Sequence, residues 1–251
     1  MQELELTKFF ADLHVHTALS PCADSSCTPP NIVSAALERG LRIIAVTDHN
    51  SAENVEAMSR CGMRRGLTVI PGMELTTQEE VHVVCLLGGV ESALELQDAI
   101  YKLLPDEQNS PDLFGPQTIV DEDGNAIGEC GRLLLGAARI SLEDAVRLVH
   151  GLNGLAIAAH VDRPSYSVIA NLGMVPEDAE LDALEISAAL TREPAISKFP
   201  GIERFPIVTG SDAHSPDRIG EAPTLFLLKS AELGEMRMAL RGECGREYLI
   251  Q

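Results

Sequence analysis

The sequence predicts an α/β fold in which parallel strands close into a barrel and present polar side chains at their C-terminal ends. Three observations carry this expectation. Strand-like and helix-like patterns alternate along 251 residues, a length that one such barrel fills. Six of the seven histidines stand at or beside the ends of apolar runs. Those runs number at least five, whereas an open sheet would gather its polar groups at a single switch point.

The first strand-like run, 9–15, carries Asp12-Leu13-His14-Val15-His16-Thr17. Residues i and i+2 of a strand share a face, so His14 and His16 can offer two imidazoles side by side. Pro29-Pro30 precede a helix near 31–39 with Ile32, Ala35 and Ala36 inward, stopped by Gly40. Strand 41–47 leads into Thr47-Asp48-His49-Asn50, and a helix follows near 51–65. Strand 67–71 leads to Pro71-Gly72-Met73-Glu74, strand 81–88 carries His82, and a helix spans about 91–104.

Residues 105–140 break the rhythm. Pro111-Asp112, Gly115-Pro116 and Asp121-Glu122-Asp123-Gly124-Asn125 spell turns. Such a stretch is expected to be a lid or binding loop, or else a surface hairpin centred on Asp123-Gly124-Asn125. The alternation then resumes. A helix near 141–151 opens at Ser141 with Asp144 three residues on, a capping arrangement, and His150 falls in its pattern as a surface or boundary residue. Strand 154–159 leads into His160-Val161-Asp162-Arg163-Pro164. A short helix near 165–171 and strands 182–187 and 205–209 follow, the last leading into Gly210-Ser211-Asp212-Ala213-His214. Strand 223–228 and a helix over about 230–241 complete the pattern, so residues 1–251 read as one unit with an insertion at about 105–140.

The apolar content of 45% is ample for a core, and no stretch approaches the roughly 20 apolar residues of a membrane span. The N-terminus has no basic region followed by an apolar one, so a cytoplasmic protein is expected. The six cysteines form no CxxC pair and are read as free thiols, with Cys22 close enough to the first motif to be a metal ligand. The formal net charge of −19 disfavours binding of extended nucleic acid, which relies on Lys and Arg.

Any one of these histidines alone reads most simply as a polar cap. Together with carboxylates they form the donor set of a metal site. Neutral imidazole and carboxylate oxygen suit zinc, manganese and iron(II). The donors exceed what a single tetrahedral ion can use, which points to two or three divalent ions bridged by carboxylates, with Glu74 the natural bridge. Asp12 and Asp48 adjoin ligand histidines and are placed to accept the outer N–H of an imidazole; the alternative for Asp48 is a helix cap. Arg163 and Arg218 follow His160 and His214 closely and can grip a phosphate with two hydrogen bonds, or pair with acidic surface neighbours.

His14-Val15-His16, Thr47-Asp48-His49, Glu74, His82, His160 and Asp212-Ala213-His214 resemble the ordered motifs of the PHP (polymerase and histidinol phosphatase) superfamily, in particular its stand-alone bacterial members. The resemblance spans residues 12 to 214. It implies a distorted (β/α)7 TIM-like barrel with a two- or three-metal centre on its C-terminal face. It implies His14, His16, His49, Glu74, His82, His160, Asp212 and His214 as ligands. Many members carry a Ser-Asp-Gly ligand after the first motif; here Asp24 is the candidate, at a longer spacing. The resemblance implies phosphoester hydrolysis; the leading expectation is a small phosphomonoester, a nucleotide or similar, attacked by a hydroxide shared between ions that Glu74, Asp212 and His214 help to hold. Two alternatives are a phosphodiesterase or exonuclease acting on short oligonucleotide ends, and a non-catalytic metal-binding regulatory module.

Overall fold

The computed structural model describes residues 5–250. In chain order the elements are β1 (Thr7–Val15), α1 (Pro29–Glu38), β2 (Ile43–Val46), α2 (Val55–Arg65), β3 (Thr68–Thr76), β4 (His82–Leu86), α3 (Val90–Tyr101), α4 (Pro111–Phe114), β5 (Thr118–Val120) and β6 (Ala126–Glu129). They continue with α5 (Leu142–Gly151), β7 (Leu155–Ala158), α6 (Val168–Leu172), β8 (Ala183–Ser187), α7 (Arg192–Lys198), β9 (Ile207–Gly210), β10 (Thr224–Leu228), α8 (Leu233–Leu240) and β11 (Glu247–Leu249).

Nine strands form one sheet in the order β11-β10-β1-β2-β3-β4-β7-β8-β9. Seven of them, from β1 round to β9, curl into a ring. The ring is sealed where Ala213, just past β9, bridges Val15 and exchanges backbone hydrogen bonds with His14 and His16. β10 and β11 extend the sheet beyond β1 as antiparallel strands. The barrel interior is filled by Leu13, Ile43, Ile70, Val84, Leu86, Ile157 and Val208 together with Phe226, and Leu233, Met236 and Leu240 of α8 pack against the same cluster. A larger apolar layer lies between the strands and the outer helices.

The expectation of a wholly parallel sheet needs correction. β1-β2-β3 and β7-β8-β9 pair in parallel, but β4 runs antiparallel to both β3 and β7. Parallel neighbours need a crossover of a dozen residues or more, and only the short turn from Thr77 to Val81 joins β3 to β4. The reversal has a functional consequence. The first residue of β4, His82, pairs with the last of β3, Thr76, and so lies on the rim where the other strands end.

A second irregularity acts on β1. Its register with β2 shifts between Asp12 and Val15. Ala11 and Leu13 belong to the barrel core, whereas the rings of His14 and His16 lie 5.2 Å apart in the donor cluster. Bulges of this kind re-aim side chains beside functional sites.

The insertion is structured. It holds α4 and the hairpin β5–β6, whose turn is organised by the Asp121 carboxylate accepting from the backbone of Asp123 and Asn125. The segment is tied to the rim. Asn54 holds Thr118 and Val120, and the Asn50 amide donates to the carbonyls of Leu134 and Gly136. The helix expected near 141–151 begins with Ser141 accepting from the Asp144 N–H, as its capping pattern indicates. Neither α7 nor β11 is anticipated by periodicity; both are short.

Candidate metal centre

Six of the seven strands of the ring, all but β8, deliver side chains from the rim to one point. Glu74 is the hub. Its Oε1 lies 2.8 Å from His82 Nδ1, 3.1 Å from His160 Nε2 and 3.2 Å from His14 Nε2. Its Oε2 lies 2.9 Å from His49 Nδ1 and 3.5 Å from His16 Nε2. Asp212 faces it from the far side, with Oδ1 3.1 Å from His16 Nε2 and 3.4 Å from His14 Nε2. Three overlapping groups have donor atoms mutually within 4.8 Å: His14, His16, Glu74 and Asp212; His49, Glu74 and His82; and His16, His49 and His214.

The donors suit divalent cations. Four buried atoms, His14 Nε2, His49 Nδ1, Glu74 Oε2 and His160 Nδ1, make no hydrogen bond. Buried polar atoms are normally satisfied, so the three orphans that face the hub, His14 Nε2, His49 Nδ1 and Glu74 Oε2, call for a ligand they can bind. The outer nitrogens point to the same conclusion. His14 Nδ1 lies 3.0 Å from Glu185 Oε1, an acceptor, so in the neutral ring that a metal requires this nitrogen keeps the proton and Nε2 offers the lone pair. Ser20 Oγ donates to Asp48 at 2.7 Å and therefore accepts from His16 Nδ1 at 2.9 Å, which again frees Nε2. His214 Nδ1 is 2.9 Å from the Asp212 carbonyl, with the same result.

The electrostatics reflect six imidazoles and two carboxylates confined together. Burial would raise the pKa of Glu74, but the charges of His82, His14 and His49 outweigh it and hold the group well below the usual carboxylate range. Asp212 is likewise held low against burial, chiefly by His14 and the hydrogen bond from His16. Burial opposes the charge on His14, yet Glu185, Glu74 and Asp212 raise its pKa well above normal. His49 is pushed up to about 10, with Glu74 overcoming burial. Burial, reinforced by neighbouring His214 and His49, drives His16 well down, and burial lowers His82. The metal-free site therefore keeps protons on some imidazoles, which a divalent ion must displace.

The structure brings together His14, His16, His49, Glu74, His82, His160, Asp212 and His214. It does not bring in Asp24. That side chain is exposed and accepts from the Ser26 backbone at 2.7 Å, because the loop turns it outward while its own N–H binds the His214 carbonyl. Arg218 is also remote; its guanidinium is engaged by Glu221 at 3.1 Å on the surface. Arg163 lines the cavity and ion-pairs with Asp212.

The two flanking aspartates act on the backbone and on hydroxyls. Asp12 touches no imidazole ring; it accepts from Ser211 N and Oγ and from Gly220 N, pinning the loop that carries Asp212. Asp48 accepts from Thr17 N and Oγ1 and reaches His16 only through Ser20. His150, half-buried and paired with Asp182 at 2.8 Å, is the boundary residue expected.

The residue that sequence reasoning misses is Glu185, the true partner of His14. A lone carboxylate inside the apolar run Ala183-Leu184-Glu185-Ile186 was the available signal, since buried charge is rarely placed without a partner. Its space is reserved by Gly210. A Cβ there would stand 2.4 Å from Glu185 Oε2 and 2.9 Å from His14 Cβ.

Backbone strain concentrates on the same rim. Asn50, His160, Tyr166 and Asp212 have φ of 49°, 29°, 55° and 47°, the left-handed region that non-glycine residues avoid. Tyr166 is held there by its carbonyl, which accepts from the His82 N–H at 2.9 Å, and its ring stacks on His82 at 4.6 Å.

Comparison with known proteins agrees with this geometry. Bacillus subtilis YqxK is 22% identical over 275 residues, covering 97% of this chain and 65% of YqxK. The Escherichia coli 5'-3' exoribonuclease Rnm is 24% identical over 254 residues, covering 82% of this chain and 85% of Rnm. The crystal structure of the lesion-specific endonuclease PfuEndoQ from Pyrococcus furiosus matches with a TM-score of 0.69 at 19% identity, over 96% of this chain and 58% of that one, a likeness of fold. The chain thus spans about two thirds of YqxK and less than that of PfuEndoQ. The PHP domain matches residues 12–170, which contain every candidate ligand but Asp212 and His214, and the PHP-associated segment matches 203–244, which contains those two. By that match, and with its donors ringed on one rim, the chain belongs to the PHP domain family.

Proposed function

We propose that the chain is a metal-dependent phosphoesterase that hydrolyses a small phosphomonoester, such as a nucleotide. One observation carries the reading. The Glu74-centred donors form the floor of a cavity of about 310 Å³, with Arg163 and Tyr166 on its walls. That volume lies at the small end of ligand pockets. Residues 5–250 act as one unit in this reading, because the sheet runs continuously through both matched segments.

Two or three divalent ions held by His14, His16, Glu74 and Asp212 on one side and His49, His82, His160 and His214 on the other would supply Lewis acidity, neutralising phosphoryl charge and acidifying water. The remaining work falls to the chain. Arg163 turns from Asp212 to a phosphoryl oxygen, where its fork donates two hydrogen bonds. Glu185, Ser20 and the Asp212 carbonyl keep the protons of His14, His16 and His214 on Nδ1, so that the lone pairs face inward. Tyr166, 46% exposed and backed by His82, offers a planar wall to the leaving group.

A second reading, hydrolysis at short oligonucleotide ends, is favoured by the match to the exoribonuclease Rnm over 82% of this chain and 85% of Rnm. The net charge of −19 argues against a long nucleic-acid track but not against an oligonucleotide end in the cavity. The test uses the full chain loaded with zinc or manganese. It is offered nucleoside monophosphates and other phosphomonoesters, a model phosphodiester, and short 5'-phosphorylated oligonucleotides. Release of phosphate from monoesters, abolished by chelation and restored by metal, is expected. Release of mononucleotides alone would favour the second reading. Stoichiometric metal with no hydrolysis of any substrate would leave a metal-binding module and sink both.

A further inference from the structure

β8 is the ring strand that sends no donor to the metal centre. It sends two anchors instead. Glu185 holds His14, and Ser187, the last residue of β8, holds the loop after β7. That loop is His160-Val161-Asp162-Arg163-Pro164, and its Asp162 has no part in the chemistry above. Asp162 stands at a corner of the turn that the Arg163 N–H closes on the His160 carbonyl at 2.9 Å. Its Oδ1 accepts from Ser187 N at 2.8 Å and its Oδ2 from Ser187 Oγ at 2.6 Å.

The same clasp occurs twice more on the rim. Asp48 accepts from Thr17 N and Oγ1 at 2.8 and 2.7 Å, and Asp12 from Ser211 N and Oγ at 3.0 and 2.6 Å. Each of those two steadies a residue that directly adjoins a metal donor, His16 or Asp212. At the third clasp the donor is already held. The His160 N–H donates to Glu185 Oε1 at 3.2 Å, and the Val161 N–H to the Glu185 carbonyl at 2.8 Å. Asp162 lies downstream of both contacts and directly before Arg163. The Arg163 side chain is 37% exposed, and its ion pair with Asp212 is the contact that a phosphoryl group would replace. On the far side its carbonyl accepts from Ser167 Oγ at 2.8 Å, so the backbone of Arg163 is gripped from both directions. The Asp162 carboxylate is engaged by Ser187 rather than by the guanidinium, so it places the chain rather than neutralising it.

We propose that Asp162 is a positioning residue for Arg163. By clasping Ser187 it fixes the turn from which the guanidinium reaches a phosphoryl group in the cavity. A binding group displaced by about 1 Å loses much of its effect, so a long side chain with a free end needs a fixed root. This role rests on the reading of Arg163 as the residue that grips phosphate, and it adds the residue that places it. Loss of the clasp should therefore act on phosphate and not on metal.

The test uses the full, manganese-loaded chain, with inorganic phosphate as the probe, calorimetry for its affinity and metal content measured alongside. Asp162→Ala should weaken phosphate binding by about three- to tenfold, no more than Arg163→Ala does, with metal content unchanged. Ser187→Ala keeps the backbone half of the clasp and should lose less. Asp162→Asn should recover most of the loss, because its amide oxygen can accept from Ser187 N while its NH2 donates to Ser187 Oγ. In an Arg163→Ala background, Asp162→Ala should add less than about twofold, since two residues acting through one contact are not additive. Wild-type phosphate affinity in Asp162→Ala overturns the role, and so does a full further loss in the Arg163→Ala background. Asparagine as weak as alanine would show that the charge matters and not the clasp, and a fall in bound metal would show that the clasp serves His160; either result overturns it too. A wild-type chain that loads metal but binds no phosphate would instead sink the reading of the cavity as a phosphoester site, and the role of Asp162 with it.

Discussion

The two sides of the donor ring are built differently. On the deep side, His14 and His16 are fully buried and each outer nitrogen is fixed, one by Glu185 and the other by the Ser20–Asp48 pair. On the mouth side, His49 and His82 meet Glu74 directly, His160 leaves Nδ1 without a hydrogen bond, and His214 has a side chain 29% exposed. The deep side is organised by the protein before any ion arrives. The mouth side is held by Glu74 and, at His214, by the Asp212 carbonyl, while the outer nitrogen of His160 has no partner. Preorganised ligands bind more tightly because less ordering is needed on binding, so the deep side should load first and release last.

The largest expected effect comes from removing what both sides share. Glu74→Gln should lose metal and hydrolysis together, by more than the roughly 100-fold that loss of an outer partner costs. Metal analysis beside activity checks it, and a fully loaded, active variant would refute the hub role. Glu185→Gln strikes the deep side alone. It should weaken metal affinity by about 10- to 100-fold while the chain stays folded, read by competitive chelator titration. An unchanged affinity would mean that His14 needs no orienting partner. Arg163→Ala tests substrate grip at the mouth. Loss of a charge-assisted contact should raise KM by roughly 10-fold or more with metal content preserved. A fall in bound metal instead would assign Arg163 to the support of Asp212.

A smaller effect concerns pH. In metal-free protein, His49 is protonated up to about 10, whereas an unfolded histidine titrates near 6.5. The folded chain thus binds more protons in this window, so the contribution of His49 to stability is full below about 6.5 and is lost as pH rises towards 10. Ions require a neutral imidazole and should erase that slope. Thermal melts of metal-free and zinc-loaded protein across this range measure it; parallel curves would contradict it. The smallest effects belong to the residues that the structure sets aside. Asp24→Asn and Arg218→Ala should leave metal content and KM at wild-type values.

The donors were legible because they sit at the ends of apolar runs, where periodicity changes and polar residues stand out. His14, His49, Glu74, His160 and Asp212 all announce themselves in this way. The architecture was legible from alternation, except at β4, where the five residues between Thr76 and His82 are too few for a crossover and hence reverse the strand. Spacing misled at Asp24, because a loop can turn any one of its residues outward, and the direction is set by contacts with Pro21, Gly115 and His214 far away in sequence. Glu185 was hidden for the opposite reason. It lies within a strand rather than at its end, and only the ring closure brings it to His14.

The left-handed backbone at His160 and Asp212 has a bearing on protein engineering. Such conformations cost of order 1–3 kcal/mol each, and glycine would adopt them without strain. Without ions the chain bears that cost against only the contacts that Asp212 makes with Arg163 and His16 and that His160 makes with Glu74. A library screened for heat resistance in chelating buffer would therefore drift away from the donors at 160 and 212, selecting sturdier barrels that have lost their chemistry. Screening with zinc present reverses the pressure, because ligand binding to the native state is itself stabilising.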